Sequence, residues 1–164
     1  MPAVLAEHPT AHILMVGAGP YKDHLAKMVS DLKVAGSITF IGRIEHADLP
    51  RYISVGDVFA MPSRSRLAGL EVEGLGIVYL EASACELPVI AGKSGGAPDA
   101  VLEGETGITV DGTNPSEIAK AVISLFDDPA RASAMGKQGR QWIYDNWRWE
   151  IWASKFNQLL YTNS

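Results

Sequence analysis

Five short apolar runs, each followed by a stretch of helical character, constrain this chain more than any other feature. They cover residues 12–16, 38–41, 58–61, 89–91 and 108–110. Each has the length of a strand. Each is nearly continuous in its apolarity, the pattern of strands covered on both faces in a parallel sheet. Residues 21–34 carry Leu25, Met28 and Leu32 at helical spacing, and 47–55 is a shorter candidate. Residues 76–85 are nearly all apolar and read as a buried helix. Residues 114–126 open with Asn114-Pro115-Ser116-Glu117, which supplies an N-cap, a proline in the first turn and a glutamate at the third position. Asp128-Pro129 starts another helix, and 147–161 forms a last one. Strands alternating with helices predict an α/β fold, a Rossmann-like parallel β-sheet flanked by helices. Right-handed crossovers then set the C-terminal strand ends along one edge, where such sheets bind ligands.

Length and charge narrow the classes. The 164 residues make one domain with a tail, and 47% hydrophobic with 20% charged residues is the balance of a globular chain. The net charge of −5 disfavours nucleic-acid binding through phosphate contacts. A single cysteine, Cys85, excludes an intrachain disulfide and a multi-thiolate metal site. The apolar runs are too short to span a membrane, and the first eight residues lack the basic segment of a secretory signal, so a cytoplasmic location is expected. Residues 1–146 read as a Rossmann-like domain, and residues 147–164 as a Trp-rich C-terminal helix. There Trp147, Trp149 and Trp152 follow closely on Trp142. That helix either packs its aromatics on the domain or docks on a second domain absent from this sequence.

Three glycine-bearing segments could carry chemistry. Gly17-Ala18-Gly19-Pro20-Tyr21-Lys22 begins like a dinucleotide fingerprint, but Lys22 replaces the third glycine and no acidic residue ends the next strand. It reads as a tight strand-to-helix turn rather than an NAD site. The loop 63–72 leads into Glu73-Gly74-Leu75-Gly76-Ile77, at the head of the predicted buried helix. Free N–H groups and the positive end of the helix dipole there suit a diphosphate. Glu81 is the one charge between Ile77 and Cys85. A carboxylate on an apolar helix needs partners, and ligand hydroxyls qualify because it accepts two at once. At the helical rise, Glu73 and Glu81 are separated by ~12 Å or a little less along the axis, enough to span a nucleotide sugar. The third segment, Ser94-Gly95-Gly96 after the fourth strand, places amides at the same sheet edge and otherwise reads as a glycine-rich turn.

Taken together, Val72 through Ala82 (Val-Glu-Gly-Leu-Gly-Ile-Val-Tyr-Leu-Glu-Ala), Pro88-Val89-Ile90-Ala91 and Ser94-Gly95-Gly96-Ala97-Pro98 resemble the C-terminal half of a retaining GT-B glycosyltransferase of family four. The wording is most similar to the actinobacterial GDP-mannose-dependent phosphatidylinositol-mannoside mannosyltransferases. The resemblance implies that Glu73 is catalytic and orients the donor sugar through its hydroxyls. It implies that Gly74, Leu75, Gly76 and Ile77 line the diphosphate and sugar through their backbone, and that Glu81 accepts the ribose hydroxyls. The turn Gly42-Arg43-Ile44 matches the segment whose backbone meets the base, which makes Arg43 and Ile44 donor-binding residues. No cofactor and no metal are implied, and the four histidines show no ligand spacing. The implied partners are a nucleotide-sugar donor, an N-terminal acceptor domain and a lipid acceptor. That domain, absent here, would bring the protein to the inner face of the membrane.

Departures from the family pattern accompany the resemblance. Glu86 stands where glycine is common, and left-handed geometry there would cost ~1 kcal/mol. Asp99 replaces a usual glutamate. The family's first strand, with the basic loop that grips the diphosphate, precedes Met1, so the sheet is expected to lack a strand near its middle and to expose unpaired edges. Three rivals stay open: a stand-alone interaction module held through its Trp-rich tail, a UDP-hexose-dependent transferase and an NAD enzyme.

Overall fold

A computed structural model describes residues 1–161. Seven α-helices alternate with five strands: α1 (Pro2–Glu7), β1 (Ile13–Val16), α2 (Lys22–Asp31), β2 (Ile38–Gly42), α3 (Leu49–Ile53), β3 (Phe59–Met61), α4 (Ile77–Ala84), β4 (Val89–Gly92), β5 (Gly107–Val110), α5 (Pro115–Phe126), α6 (Pro129–Asn146) and α7 (Trp149–Tyr161). Every predicted strand is present. The Asn114 side chain caps α5 by accepting from the N–H groups of Ser116 and Glu117, and Asp128 caps α6 by accepting from Arg131.

All strand pairs are parallel, but the strands fall into two groups, β1-β2 and β3-β4-β5. The common doubly wound order is 3-2-1-4-5-6. Removing its first strand leaves two strands on one side and three on the other, which is the observed grouping. Among the described residues no strand pairs with the second edge of β1 or of β3.

The core lies around β4, whose four residues are all buried. Val89 and Ala91 face one cluster with Tyr79, Ala82, Leu87 and Val101. Ile90, on the opposite face, joins Val110, Ala121, Leu125, Ala132 and Met135 from β5, α5 and α6. This alternation follows from the period of two along a strand.

Three expectations need correction. Strand β1 is not covered on both faces: Ile13 and Leu14 are 36% and 39% exposed, and α2 buries no residue. Among the described residues its neighbouring edge has no strand to complete the layer. Helix α4 buries one face only. Tyr79, Ala82 and Ser83 are inside, whereas Ile77 is 64% exposed at the sheet edge. The tail packs its aromatics on the domain only in part, through Trp147 against Trp142 of α6. Helix α7 buries no residue; Trp147 meets Trp142 edge-on and Trp152 at a tilt, each with centroids 5.7 Å apart, and Trp149 is exposed. The last three residues of the proposed 147–164 tail lie outside the described residues.

Candidate functional site

The candidate site is built where the loops after β3 and β4 meet the head of α4. Glu73 is held there at three points. Its backbone N–H donates to the buried Ser94 Oγ at 3.2 Å, and its carbonyl accepts from the Gly96 N–H at 3.1 Å. Its carboxylate Oε2 accepts from the Ser63 hydroxyl at 3.0 Å. Oε1 has no partner among the described residues. The glycine pair after β4 is therefore more than a turn. A Cβ on Gly95 would overlap the Glu73 carbonyl, and one on Gly96 would overlap that of Gly74, so only glycine lets the two loops come together.

From Glu73 the backbone passes Gly74 and Leu75 to Gly76, which takes left-handed geometry (φ 71°) and starts α4 without a side-chain cap. The first amides of α4 are thus left for a ligand or solvent. Glu81 follows on the helix, half-buried, and its carboxylate makes no hydrogen bond or ion pair with the described residues. The helix starts only at Ile77, so helical rise covers only the part from Ile77 to Glu81, about 6 Å, and Glu73 to Gly76 is non-helical bend.

Beneath the bend lies Tyr79, fully buried. Its Oη is 2.9 Å from Ser63 Oγ and donates to the Met61 carbonyl at 2.7 Å. Burial pushes the Tyr79 phenol above its ordinary pKa. The Ser63 hydrogen bond pulls the other way, and the Glu73 charge adds to the rise. Neither Ser63 nor Tyr79 stood out in the sequence as a site residue. The signal was present only as the serine that opens the 63–72 loop and the single polar ring on an apolar helix. The ends of β4 and β5 press on the same loop, since a Cβ on Gly92 or on Gly112 would overlap the Ser63 carbonyl.

Arg43 and Ile44 follow directly on the end of β2, Arg43 exposed and Ile44 half-buried. Next to them a cleft of about 260 Å³ opens between Met15, Gly17, Gly19, Tyr21, Phe40 and Gly42. The Gly17 N–H donates to the Gly42 carbonyl at 2.8 Å, which ties the first glycine turn to the turn that carries Arg43. That glycine turn, read from sequence as structural only, thus also forms a cleft wall. Another hollow, of about 310 Å³, is lined by Glu86, Lys137, Arg140, Gln141 and Tyr144 and includes no candidate residue. Among the described residues no group of three His, Cys, Asp or Glu side chains could hold a metal ion.

The family model for glycosyl transferases group 1 matches residues 1–142. This chain belongs to that family. As a group 1 glycosyl transferase chain it is 51% identical over 160 residues to a GDP-mannose-dependent alpha-(1-6)-phosphatidylinositol monomannoside mannosyltransferase of Mycolicibacterium smegmatis, covering 98% of this chain and 42% of that protein. It is 45% identical to the GDP-mannose-dependent monoacylated alpha-(1-6)-phosphatidylinositol monomannoside mannosyltransferase of Corynebacterium glutamicum, covering 98% of this chain and 41% of that protein. Among solved structures, sucrose-phosphate synthase from Thermosynechococcus elongatus superposes with a TM-score of 0.85 at 31% identity, over 99% of this chain and 41% of the other. The group 1 chain therefore spans about two-fifths of the length of these relatives, and it has their Rossmann-like fold.

Proposed function

We propose that this chain is the donor-binding half of a mannosyltransferase that takes mannose from GDP-mannose and passes it, with retention at the anomeric carbon, to a phosphatidylinositol-mannoside lipid. One observation carries the reading: two carboxylates flank one amide-rich bend, Glu73 pinned through Oε2 with Oε1 open, and Glu81 without a partner among the described residues. A carboxylate is an acceptor-only group, so these two openings suit hydroxyls at the two ends of a nucleotide sugar.

In this reading Glu73 meets the mannose hydroxyls, and the backbone of Gly74, Leu75, Gly76 and Ile77 lies along the diphosphate and sugar. Glu81 takes the ribose hydroxyls, and the Arg43-Ile44 backbone meets the base. Departure of the sugar leaves negative charge on the diphosphate, and the uncapped start of α4 offers N–H dipoles to it without a metal. Positioning supplies the rest of the acceleration, and no side chain of this chain is assigned as a nucleophile. A second domain would hold the lipid acceptor. The donor is multiply charged and cannot enter hydrocarbon, so the reaction would take place at the membrane surface, in this reading at its inner face. Without that domain the chain would bind the donor weakly and transfer nothing.

Titrating the chain with GDP-mannose, UDP-glucose and NAD, followed by NMR shifts, tests the reading in the wild type and in Glu81→Ala. We expect saturable binding of GDP-mannose, weakened roughly tenfold or more by Glu81→Ala, as for loss of a hydrogen bond to a charged group. NAD should cause no saturable change. Absence of GDP-mannose binding in both proteins would overturn the reading and leave the interaction module. Turnover of GDP-mannose by the chain alone would overturn its inactivity.

A further inference from the structure

The Ser63 hydroxyl lies between two groups that compete for its proton. Glu73 Oε2 is 3.0 Å away on one side, and Tyr79 Oη is 2.9 Å away on the other. Tyr79 Oη in turn is 2.7 Å from the Met61 carbonyl. Three contacts are thus served by two hydroxyl protons, because an ionised carboxylate and a carbonyl only accept. The charged acceptor makes the stronger bond, so the Ser63 proton goes to Glu73. Tyr79 has one proton for the Met61 carbonyl and the Ser63 oxygen, and where it turns that proton to Ser63 the serine is steadied from its buried side.

We propose that Ser63, backed by Tyr79, is the positioning residue that fixes the Glu73 carboxylate with Oε2 inward and Oε1 presented to the hydroxyls of the donor's sugar. This rests on the reading of Glu73 as the residue that meets that sugar. A glutamate side chain has three torsions to immobilise, and ordering it on binding would weaken the complex. Here the ordering is done before the ligand arrives. The backbone of Glu73 is fixed independently by Ser94 and Gly96, so the Ser63 bond has only the carboxylate left to set. The Tyr79 ring packs edge-on against Phe59 with centroids 6.2 Å apart, so the phenol oxygen can be removed while the ring contact stays.

The test compares the affinities of the chain for GDP and for GDP-mannose, whose ratio isolates what the sugar contributes. Ser63→Ala should lower that ratio roughly threefold or more, the loss expected for a coupled neighbouring pair. Ser63→Thr should restore it. In a Glu73→Ala background, Ser63→Ala should lower it no further. Tyr79→Phe should lower it in the same direction by less. Circular dichroism checks folding; if Ser63→Ala does not fold, Tyr79→Phe with and without Glu73→Ala decides the question in its place. An unchanged ratio, an equal weakening of both ligands, or a loss that persists without Glu73 would each overturn the proposal. Failure of either ligand to bind the wild-type chain would instead bring down the donor reading, and this proposal with it.

Discussion

Lys33 and Glu86 adopt left-handed geometry, with φ of 55° and 63°, at places where glycine is the usual choice. Each closes a helix in the same way. The Glu86 N–H donates to the Ser83 carbonyl at 3.0 Å and the Leu87 N–H to that of Ala82 at 3.1 Å. At the end of α2, the Lys33 N–H donates to Ser30 at 2.9 Å and the Val34 N–H to Val29 at 3.1 Å. The expected strain at Glu86 was legible through the family resemblance, because glycine is common where Glu86 stands. Glu86 has a compensating contact, Arg140 at 3.1 Å, but both side chains are largely exposed and such pairs are worth little. Glu86→Gly should therefore stabilise the chain by about 0.5–1 kcal/mol, and Lys33→Gly, with no ion pair to lose among the described residues, by about 1 kcal/mol. Urea denaturation should show higher midpoints at unchanged slope. A lower midpoint for Glu86→Gly alone would mean that the Arg140 pair outweighs the backbone strain.

At the scale of elements, β4 was readable because its apolar run pairs on both edges and is covered on both faces. The run of β1 has the same lettering but differs in its surroundings. A continuous apolar run reports that a strand is fit for burial, not that neighbours are present to bury it. The site shows the same limit. The carboxylates and glycines of 73–81 were legible as a local pattern, whereas the Ser63 bond to Glu73 and the glycine pair under the Glu73 carbonyl arise only when two strand-end loops converge. The two groups of strands should also differ in local stability. Backbone amides of β1 and β2 are expected to exchange with solvent roughly tenfold or more faster than those of β4, since opening the first pair exposes little buried surface. Hydrogen exchange read by mass spectrometry checks this, and equal protection across both groups would contradict the uneven packing.

The molecule as a whole has a dense half around β3 to β5 with α4 to α6, and a thinner half in which α2 buries nothing. All four tryptophans lie on α6, α7 and the two residues between them, and three of them, Trp142, Trp147 and Trp152, form a cluster outside the two core clusters. Heating should therefore give different midpoints by tryptophan fluorescence and by far-ultraviolet circular dichroism, the fluorescence change coming first. Coincident curves would indicate a single cooperative unit. The tight seating of the Ser63 carbonyl against Gly92 and Gly112 has a consequence for inheritance of defects. Gly92 ends β4 and Gly112 lies two residues past β5, both apart from the two carboxylates, yet a methyl group at either one would push on the serine whose hydroxyl meets Glu73. A lesion there would be felt as faulty recognition of a sugar by a residue many positions away in the chain.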